Sequence, residues 1–222
     1  MRSKIFLLLM LAISVIPASA QTKKTMQEKE TVVEMTTDMG VIRLKLYNET
    51  PLHRDNFIKL VKEGFYDSLL FHRVINSFMI QGGDPQSKNA QAGQMLGNGD
   101  VGYKIPAEIK DSLFHKRGAL AAARDNNPEK ASSGCQFYIV HGRKFNDNEL
   151  AQMEQRSGVK LTPAAREAYK TVGGSPWLDG AYTVYGEVIS VMEVVDQIAT
   201  SPVGMADRPV KDIRFSIKML EN

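Results

Sequence analysis

Hydrophobic and polar residues alternate along several short stretches of the chain, a pattern typical of β-strands with one buried face. The runs TVVEMTT and VIRLKLY lie on either side of Asp38-Met39-Gly40, a short connection that predicts a β-hairpin. Further strands are predicted within residues 71–85, 115–124, 132–140, 183–189 and 210–219. Strands do not alternate with helices as in parallel βαβ units, so the pattern favours an all-β barrel with helices capping its ends.

Two single helices are predicted, the first of them from apolar residues three and four positions apart. The first begins at Thr50-Pro51, an N-cap followed by a first-turn proline, and ends at Gly64. Its apolar face consists of Phe57, Leu60 and Val61. The second helix is predicted over residues 192–199, just before the last strand. The first helix has one apolar face with which to cover a sheet.

Residues 146–174 carry the start and stop signals of two further helices. Asn146 is a predicted N-cap with Glu149 three residues on, and Gly158 follows the end of that helix. The second helix starts at Thr162-Pro163 and stops at Gly173-Gly174. The segment therefore predicts an αα-hairpin with the packing residues Leu150, Met153, Leu161 and Tyr169. Its role stays open between a surface decoration and a contact for a partner or substrate.

Residues 1–20 have the three parts of a secretory signal peptide. Arg2 and Lys4 precede an apolar run, and Ala18-Ser19-Ala20 matches an A-x-A cleavage site. A membrane anchor is the alternative, but the run is well short of the ~20 residues needed to span a bilayer. We therefore predict cleavage after Ala20 and export to the periplasm or the medium, with no membrane attachment of the mature chain. The polar residues 21–31 are predicted to form a disordered lead.

Composition and charge argue against nucleic-acid binding. The 222 residues are 43% hydrophobic, which is enough for one globular domain, predicted over residues 32–222. Removal of Arg2 and Lys4, and of no acidic residue, lowers the formal net charge from +3 to +1. So small a net charge on the mature chain gives no indication of a strongly basic patch of the kind that binds nucleic acid.

The cysteine and histidine content indicates neither a disulfide nor a metal site. Cys135 is the single cysteine, so it has no intramolecular partner, and we interpret it as a small buried residue in a strand. The four histidines have no metal-ligand spacing with one another or with Cys135. We interpret His72 as a core histidine with satisfied hydrogen bonds. No metal and no cofactor are predicted.

Residues 97–102, GNGDVG, form a literal G-x-G-x-x-G. A dinucleotide site would need a strand before this run and a helix after it. The polar run QSKNAQAGQ precedes it and YKIP follows it, so neither element is predicted. We interpret the run as a glycine-rich surface loop.

The stretch FHRVINSFMIQGGDP, residues 71–85, places a charge inside an apolar run. It predicts a β-hairpin or a strand pair at a sheet edge, with two faces: Met79 with Gln81, and Phe78 with Ile80. An unpaired charge such as Arg73 is seldom tolerated away from water. Arg73 therefore reaches the surface or pairs with a carboxylate, as structural arginines do, or it serves a function.

Three stretches together carry a specific signature: FHRVINSFMIQGGD, SGCQFYIV and WLDG. In residue types and internal spacing they resemble the cyclophilin-type peptidyl-prolyl cis/trans isomerases, whose runs are FHR-x-I-x-x-F-M-x-Q-G-G-D, G-S-Q-F-F and W-L-D-G. The resemblance extends from about residue 31 to the C-terminus, apart from residues 146–174, which would be an insertion. It implies an eight-stranded antiparallel closed barrel. It also implies a monomeric isomerase without a cofactor that acts on proline-containing peptides and unfolded client proteins, with cyclosporin-type compounds as further candidate ligands.

The resemblance also assigns roles to single residues. Arg73 would be the catalytic arginine, and Gln81 would hold the substrate or orient Arg73. The proline pocket would be formed by Phe78, Met79, Tyr138 and Leu178. The remaining substrate-binding positions would be Gln136, the backbone at Ala123 and Arg124, Tyr182, and Trp177 at the rim that the family uses for cyclosporin.

Several positions depart from the family's pattern. Tyr138 stands where phenylalanine is usual, so the pocket floor gains a hydroxyl that needs a hydrogen-bond partner. Tyr182 stands where many members have histidine. Ala122 and Arg124 replace a frequent methionine and asparagine, and Cys135 replaces serine. These changes bear on ligand affinity, including affinity for cyclosporin, more than on catalysis.

The implied reaction agrees with the residue types available. Rotation about an X-Pro bond breaks no covalent bond, so neither a nucleophile nor a metal is required, and a guanidinium can stabilise the twisted amide. The alternative from another class is a non-catalytic peptide-binding or chaperone module that uses the same pocket and the helical hairpin. Arg73 and Gln81 favour catalysis, and an isomerase assay separates the two.

Overall fold

The computed structural model describes residues 30–190 and 192–220. The predicted signal peptide and residues 21–29 of the predicted lead lie outside these ranges, whereas Thr31, the last residue of that lead, is the first residue of a strand. The strands are β1 Thr31–Thr37, β2 Gly40–Leu46, β3 Leu69–Leu70, β4 Arg73–Ile75, β5 Met79–Gly82, β6 Lys104–Ile105, β7 Ala119–Ala122, β8 Ser132–Ser133, β9 Phe137–Val140, β10 Val184–Val188 and β11 Arg214–Met219. The helices are α1 Pro51–Lys62, α2 Asp147–Ser157, α3 Pro163–Thr171 and α4 Glu193–Ala199, with short 3-10 helices at Pro85–Asn89, Pro176–Leu178 and Met205–Asp207.

Nine of these strands form one antiparallel sheet in the order β3-β11-β1-β2-β10-β7-β9-β5-β4, and β6 pairs with β8. The sheet is a strongly curled, open half-barrel, so the predicted eight-stranded closed barrel is wrong. The edge strands β3 and β4 follow each other in the chain but pair with different neighbours. Between them, the Phe71 N–H donates to the Ile213 carbonyl and the His72 N–H donates to the Gln81 carbonyl. The backbone therefore divides its hydrogen bonds between the two edges instead of joining them.

Alternation along β5, β7 and β9 divides the apolar residues between two faces of the sheet. Ile80, Leu120 and Ile139 belong to the main core, which α1 and α4 also line. Met79 and Tyr138 belong to a second cluster on the opposite face. Successive side chains of a strand point to opposite faces, so a single strand can serve both the core and a site outside it.

The hydrophobic pattern locates the helices correctly. Phe57, Leu60 and Val61 of α1 are buried as predicted, although the Thr50 hydroxyl makes no cap bond and has no partner among the described residues. Helix α2 has the predicted capping box, in which Asn146 and Glu149 each accept from the other's backbone N–H. Helix α3 is capped by Thr162, and the predicted packing residues lie in a third cluster of Phe145, Leu150, Ala165, Tyr169, Phe114, Met153 and Leu161. That the two helices are an insertion stays a prediction.

The described ranges contain neither a membrane-spanning helix nor a cluster of potential metal ligands. None of the helices there combines the length and apolarity needed to cross a bilayer. In the same ranges, no three His, Cys, Asp or Glu side chains are grouped to hold a metal ion. Cys135 is a buried free thiol in the turn before β9, and burial raises its pKa to about 11. At neutral pH it is therefore a small apolar side chain and not a nucleophile.

Candidate active site

The β4–β5 hairpin lies at a sheet edge, as predicted, and places Arg73 directly opposite Gln81. The Arg73 guanidinium donates to the Gln81 side-chain oxygen over 3.4 Å. The Gln81 amide donates in turn to the Gln136 side-chain oxygen at 3.1 Å. This series of side chains fixes the position of the guanidinium, because each amide is held at both its oxygen and its nitrogen.

The glycine-rich loop holds the far end of this series. The Gln136 amide donates to the carbonyl oxygens of Gly97 at 2.9 Å and Gly99 at 2.8 Å. A Cβ on Gly99 would lie 1.9 Å from a carboxylate oxygen of Asp84, so only glycine fits there. The predicted surface loop therefore also supports the candidate site.

Among the residues that the structure describes, Arg73 has one further partner, an Asp207 carboxylate oxygen 3.5 Å from its Nε. The side chain of Arg73 is 42% exposed and that of Asp207 is 45% exposed, so the attraction between them is weakened by water. Arg73 is therefore partly at the surface and partly paired with a carboxylate, the two roles that a structural arginine could have here. Both roles leave the guanidinium accessible from the cavity beside it.

A cavity of about 150 Å³ adjoins the Arg73 side chain. This volume lies below the ~300–1,000 Å³ of pockets for drug-sized ligands, so it suits a single small group. Nine of the eleven predicted site residues line it: Arg73, Phe78, Met79, Gln81, Ala123, Arg124, Tyr138, Leu178 and Tyr182. The structure therefore brings together residues from four separate segments of the chain.

Phe78 lies on a different face from the one that alternation predicts. It precedes β5 in the turn and packs with the cluster of Met79 and Tyr138, whereas Ile80 points into the main core. The pairing of Phe78 with Ile80 is wrong because the period-two pattern applies only within the strand, which begins at Met79.

Two predicted site residues lie beside the cavity and not in its wall. Trp177 is 42% exposed, and its ring lies 5.5 Å from that of Phe78 and 6.1 Å from that of Phe145, measured between centroids. It is thus a rim residue. Gln136 is 8% exposed and lines a neighbouring cavity, in addition to orienting Gln81.

The backbone N–H and carbonyl of Ala123 are both hydrogen-bonded within the protein. Its N–H donates to the Gln136 carbonyl at 2.9 Å, and its carbonyl accepts from the Ser133 N–H at 2.8 Å. The Arg124 guanidinium donates to the Ala181 carbonyl and lies 4.8 Å from the Tyr182 ring centroid. The Arg124 side chain is therefore part of the pocket wall.

The extra hydroxyl of Tyr138 finds the partner that it needs. It lies 3.0 Å from Nε2 of His115, a fully buried residue whose other ring nitrogen lies 2.8 Å from Asp179. Sequence reasoning did not assign His115 or Asp179 to the site. Asp179 belongs to the WLDG run and could have been considered, whereas nothing near His115 in the sequence indicates that it contacts β9.

His72 is buried, as predicted, but its hydrogen bonds are not satisfied. Neither ring nitrogen has a partner among the described residues. Burial lowers the pKa of His72 to about 4, an effect that Arg73 and Arg208 strengthen and Asp84 opposes. The ring borders a second cavity of about 700 Å³, whose wall includes the loops 92–98 and 204–210. The interpretation of His72 as a satisfied core histidine is therefore wrong.

Comparison with known proteins agrees with this geometry. Residues 32–219 match the family model described as cyclophilin type peptidyl-prolyl cis-trans isomerase/CLD. Proteins of Staphylococcus epidermidis and Staphylococcus aureus, provisionally named peptidyl-prolyl cis-trans isomerases, are 37% identical over 194 residues. These alignments cover 87% of this chain and 93% of the relatives.

Solved structures show the same fold. A crystal structure of a cyclophilin type peptidyl-prolyl cis-trans isomerase from Cryptosporidium parvum superposes with a TM-score of 0.64 at 22% identity, covering 87% of this chain and 99% of that one. A structure of the same protein in the presence of the dipeptide Ala-Pro gives 0.62 at 23% identity, with 86% and 99% covered. The family model and the relatives' identity show that this chain belongs to the cyclophilin-type peptidyl-prolyl cis-trans isomerases and is an enzyme of that family.

Proposed function

We propose that this enzyme accelerates the rotation of X-Pro bonds in exported proteins and thereby assists their folding, with Arg73 as its catalytic residue. The observation that carries the assignment is the position of the Arg73 guanidinium. It is accessible at the wall of a small cavity with both apolar and polar lining residues, and it is oriented by Gln81. The Ala-Pro dipeptide present with the Cryptosporidium parvum structure supports a proline ring as the occupant of this cavity.

The reaction requires selective binding of a twisted amide. Partial double-bond character opposes rotation of the X-Pro bond by ~18–20 kcal/mol. Halfway through the rotation, resonance is lost and the prolyl nitrogen becomes a basic hydrogen-bond acceptor. A donor that contacts this nitrogen binds the twisted amide better than either planar isomer, which is the condition for catalysis.

The cavity holds the prolyl ring, which stays fixed while the other side of the X-Pro bond rotates. Phe78, Met79 and Leu178 offer apolar surface to the ring, and Tyr138 forms the floor. With the ring held, Arg73 donates to the prolyl nitrogen while the preceding carbonyl turns. A stabilisation of ~7 kcal/mol would accelerate the rotation by about five orders of magnitude.

The remaining site residues contact the rest of the peptide. We assign this role to Gln136, to the backbone at Arg124 and to the rim residue Trp177, which also offers its exposed ring to cyclosporin-type ligands. Gln81 orients Arg73. The exported location rests on the charged, apolar and A-x-A order of residues 1–20, and with it the clients are unfolded exported proteins.

A protease-coupled isomerase assay on an Ala-Pro peptide tests the proposal. Catalysis that is inhibited by excess unlabelled proline peptide is the expected result. Binding of the peptide, followed by NMR, without faster cis/trans exchange would instead identify a non-catalytic binding module and overturn the assignment of Arg73.

A further inference from the structure

The Tyr138 hydroxyl begins a buried set of hydrogen bonds that leads away from the pocket. It lies 3.0 Å from His115 Nε2, and His115 Nδ1 lies 2.8 Å from Asp179 Oδ1. The other carboxylate oxygen of Asp179 accepts from the Tyr169 hydroxyl at 2.6 Å. Tyr138, His115 and Tyr169 are 5%, 0% and 0% exposed, and the Asp179 side chain is 10% exposed, so water has little access to these bonds.

With a neutral His115 ring, the acceptors fix the direction of every proton in this set. A carboxylate only accepts, so the His115 ring must donate from Nδ1, and the His115 backbone N–H donates to the same oxygen at 3.0 Å. A neutral ring with its proton on Nδ1 accepts at Nε2, which requires Tyr138 to donate its hydroxyl proton. Burial raises the pKa of both tyrosines, so both hydroxyls keep the protons that they donate.

The two ends of the set belong to different parts of the fold. Tyr138 lies in β9 and lines the proline pocket, whereas Tyr169 lies in α3. The Tyr169 ring packs against Phe114 and against the backbone of Gly174, where a Cβ would lie 2.5 Å from the ring. Helix α3 therefore holds the Tyr169 hydroxyl in one place beside Asp179.

We propose that Tyr169 is a positioning residue for the proline pocket. Its hydroxyl holds the Asp179 carboxylate, which keeps His115 in the Nδ1–H form, and His115 in turn holds the Tyr138 ring at the pocket floor. The helical pair α2–α3 thus contributes to proline binding through Tyr169 without touching the substrate. This inference rests on the proposed role of Tyr138 in the pocket.

The variants Tyr169→Phe and Tyr138→Phe, alone and together, test the link. Each removes one hydroxyl and keeps the ring that fills the core. Tyr66→Phe is the matched control, because Tyr66 is also a buried tyrosine but donates to the Cys135 carbonyl, outside the set. The readouts are the Kd of an Ala-Pro peptide by NMR titration and the ¹⁵N chemical shifts of the His115 ring.

We expect Tyr169→Phe to weaken peptide binding about three- to tenfold, as couplings within one hydrogen-bond network do. The same change in the Tyr138→Phe background should have no further effect, and Tyr66→Phe should leave the Kd unchanged. The proposal would be overturned if the effects of Tyr169→Phe and Tyr138→Phe on the Kd were additive. It would also be overturned if Tyr66→Phe weakened peptide binding as much as Tyr169→Phe does.

The His115 tautomer provides a test that needs no variant. The wild-type ring should carry its proton on Nδ1, and Tyr169→Phe should shift it towards a mixture of tautomers. A proton on Nε2 of the wild-type ring would contradict the proposal, because that nitrogen could not accept from Tyr138. This spectrum does not depend on isomerase activity, so failure of the positioning role and failure of the proposed function are distinguishable.

Discussion

His72 is a buried titratable side chain whose ring nitrogens have no hydrogen-bond partner among the described residues. Its pKa is about 4 in the folded protein because the ring is buried, against the ordinary value of 6.5. As the pH falls through this window, the unfolded chain takes up a proton that the folded protein does not. Folding stability contributed by neutral His72 is therefore present above pH 6.5 and is lost as the pH falls towards 4.

We expect the lowered pKa of His72 to reduce the free energy of unfolding by about 2–3 kcal/mol as the pH falls from 7 to 4.5. His72→Gln removes the titration, so its stability should depend less steeply on pH than that of the wild type. Urea unfolding at both pH values measures the difference. His53 and His141 also have lowered pKa values, but they contribute equally to both proteins. Equal slopes would show that His72 is not the cause.

At the residue scale, the sequence predicts which residues of one short run lie together. It does not predict which residues from distant parts of the chain contact them. The resemblance carried by residues 71–85 and 132–140 implies that Arg73, Gln81 and Tyr138 share one site, and the structure brings all three to the wall of one cavity. It does not indicate that Asp207 approaches Arg73 or that His115 reaches Tyr138, because these contacts depend on how distant loops return to the sheet.

At the scale of elements, strand length limits what the pattern can show. Helices α1 to α4 follow from caps and apolar spacing, and α2 has the predicted capping box. Strands β3, β6 and β8 have two residues each, too few for an alternation to be recognised. Alternation also identifies the buried face of a strand and not its neighbours, so it could not show that the sheet stays open between β3 and β4.

The helical pair α2–α3 allows a prediction for a whole element. From the sequence alone, replacing it with a short turn should leave the fold and the activity on a small peptide largely intact. The structure changes this expectation, because Tyr169 donates to Asp179 and Leu150 and Phe145 share one cluster. We now expect a folded protein with a lower Tm and a peptide Kd weakened about three- to tenfold.

Residues 146–172 are the segment to replace, since Gly174 bridges to both Lys116 and Arg143 and must be kept. Thermal unfolding and peptide titration give the two quantities. Complete loss of folding would show that the helices belong to the main core. An unchanged Kd would show that the pocket does not depend on α3.

For the whole molecule, the proposal of export makes a prediction about the mature chain. Residues 1–20 should be removed during secretion, since the charged segment, the apolar run and Ala18-Ser19-Ala20 follow in the order that signal peptidase requires. Mass spectrometry of the protein recovered from periplasm or medium should give an N-terminus at Gln21. Recovery of the chain from Met1 in the cytoplasm would refute export, and isomerase activity would be unaffected by that result.

The central claim is that Arg73 stabilises the twisted amide, and two variants separate this role from simple binding. Arg73→Lys should recover only part of the rate, because a compact ammonium lacks the planar, fixed donors of guanidinium. Phe78→Ala should raise the KM for the peptide, since in the proposed mechanism the Phe78 ring contacts proline in planar and twisted states alike. A variant that raises only KM, as Phe78→Ala should, reports on binding and does not test catalysis.

The most direct measurement is therefore kcat/KM of Arg73→Ala on an Ala-Pro peptide, with its Tm checked alongside. The side chain is 42% exposed, so its removal should change stability little. Loss of a contact that strengthens only in the twisted state should lower kcat/KM by about 10² to 10³, or ~3–4 kcal/mol. Wild-type kcat/KM in a folded Arg73→Ala protein would contradict the account.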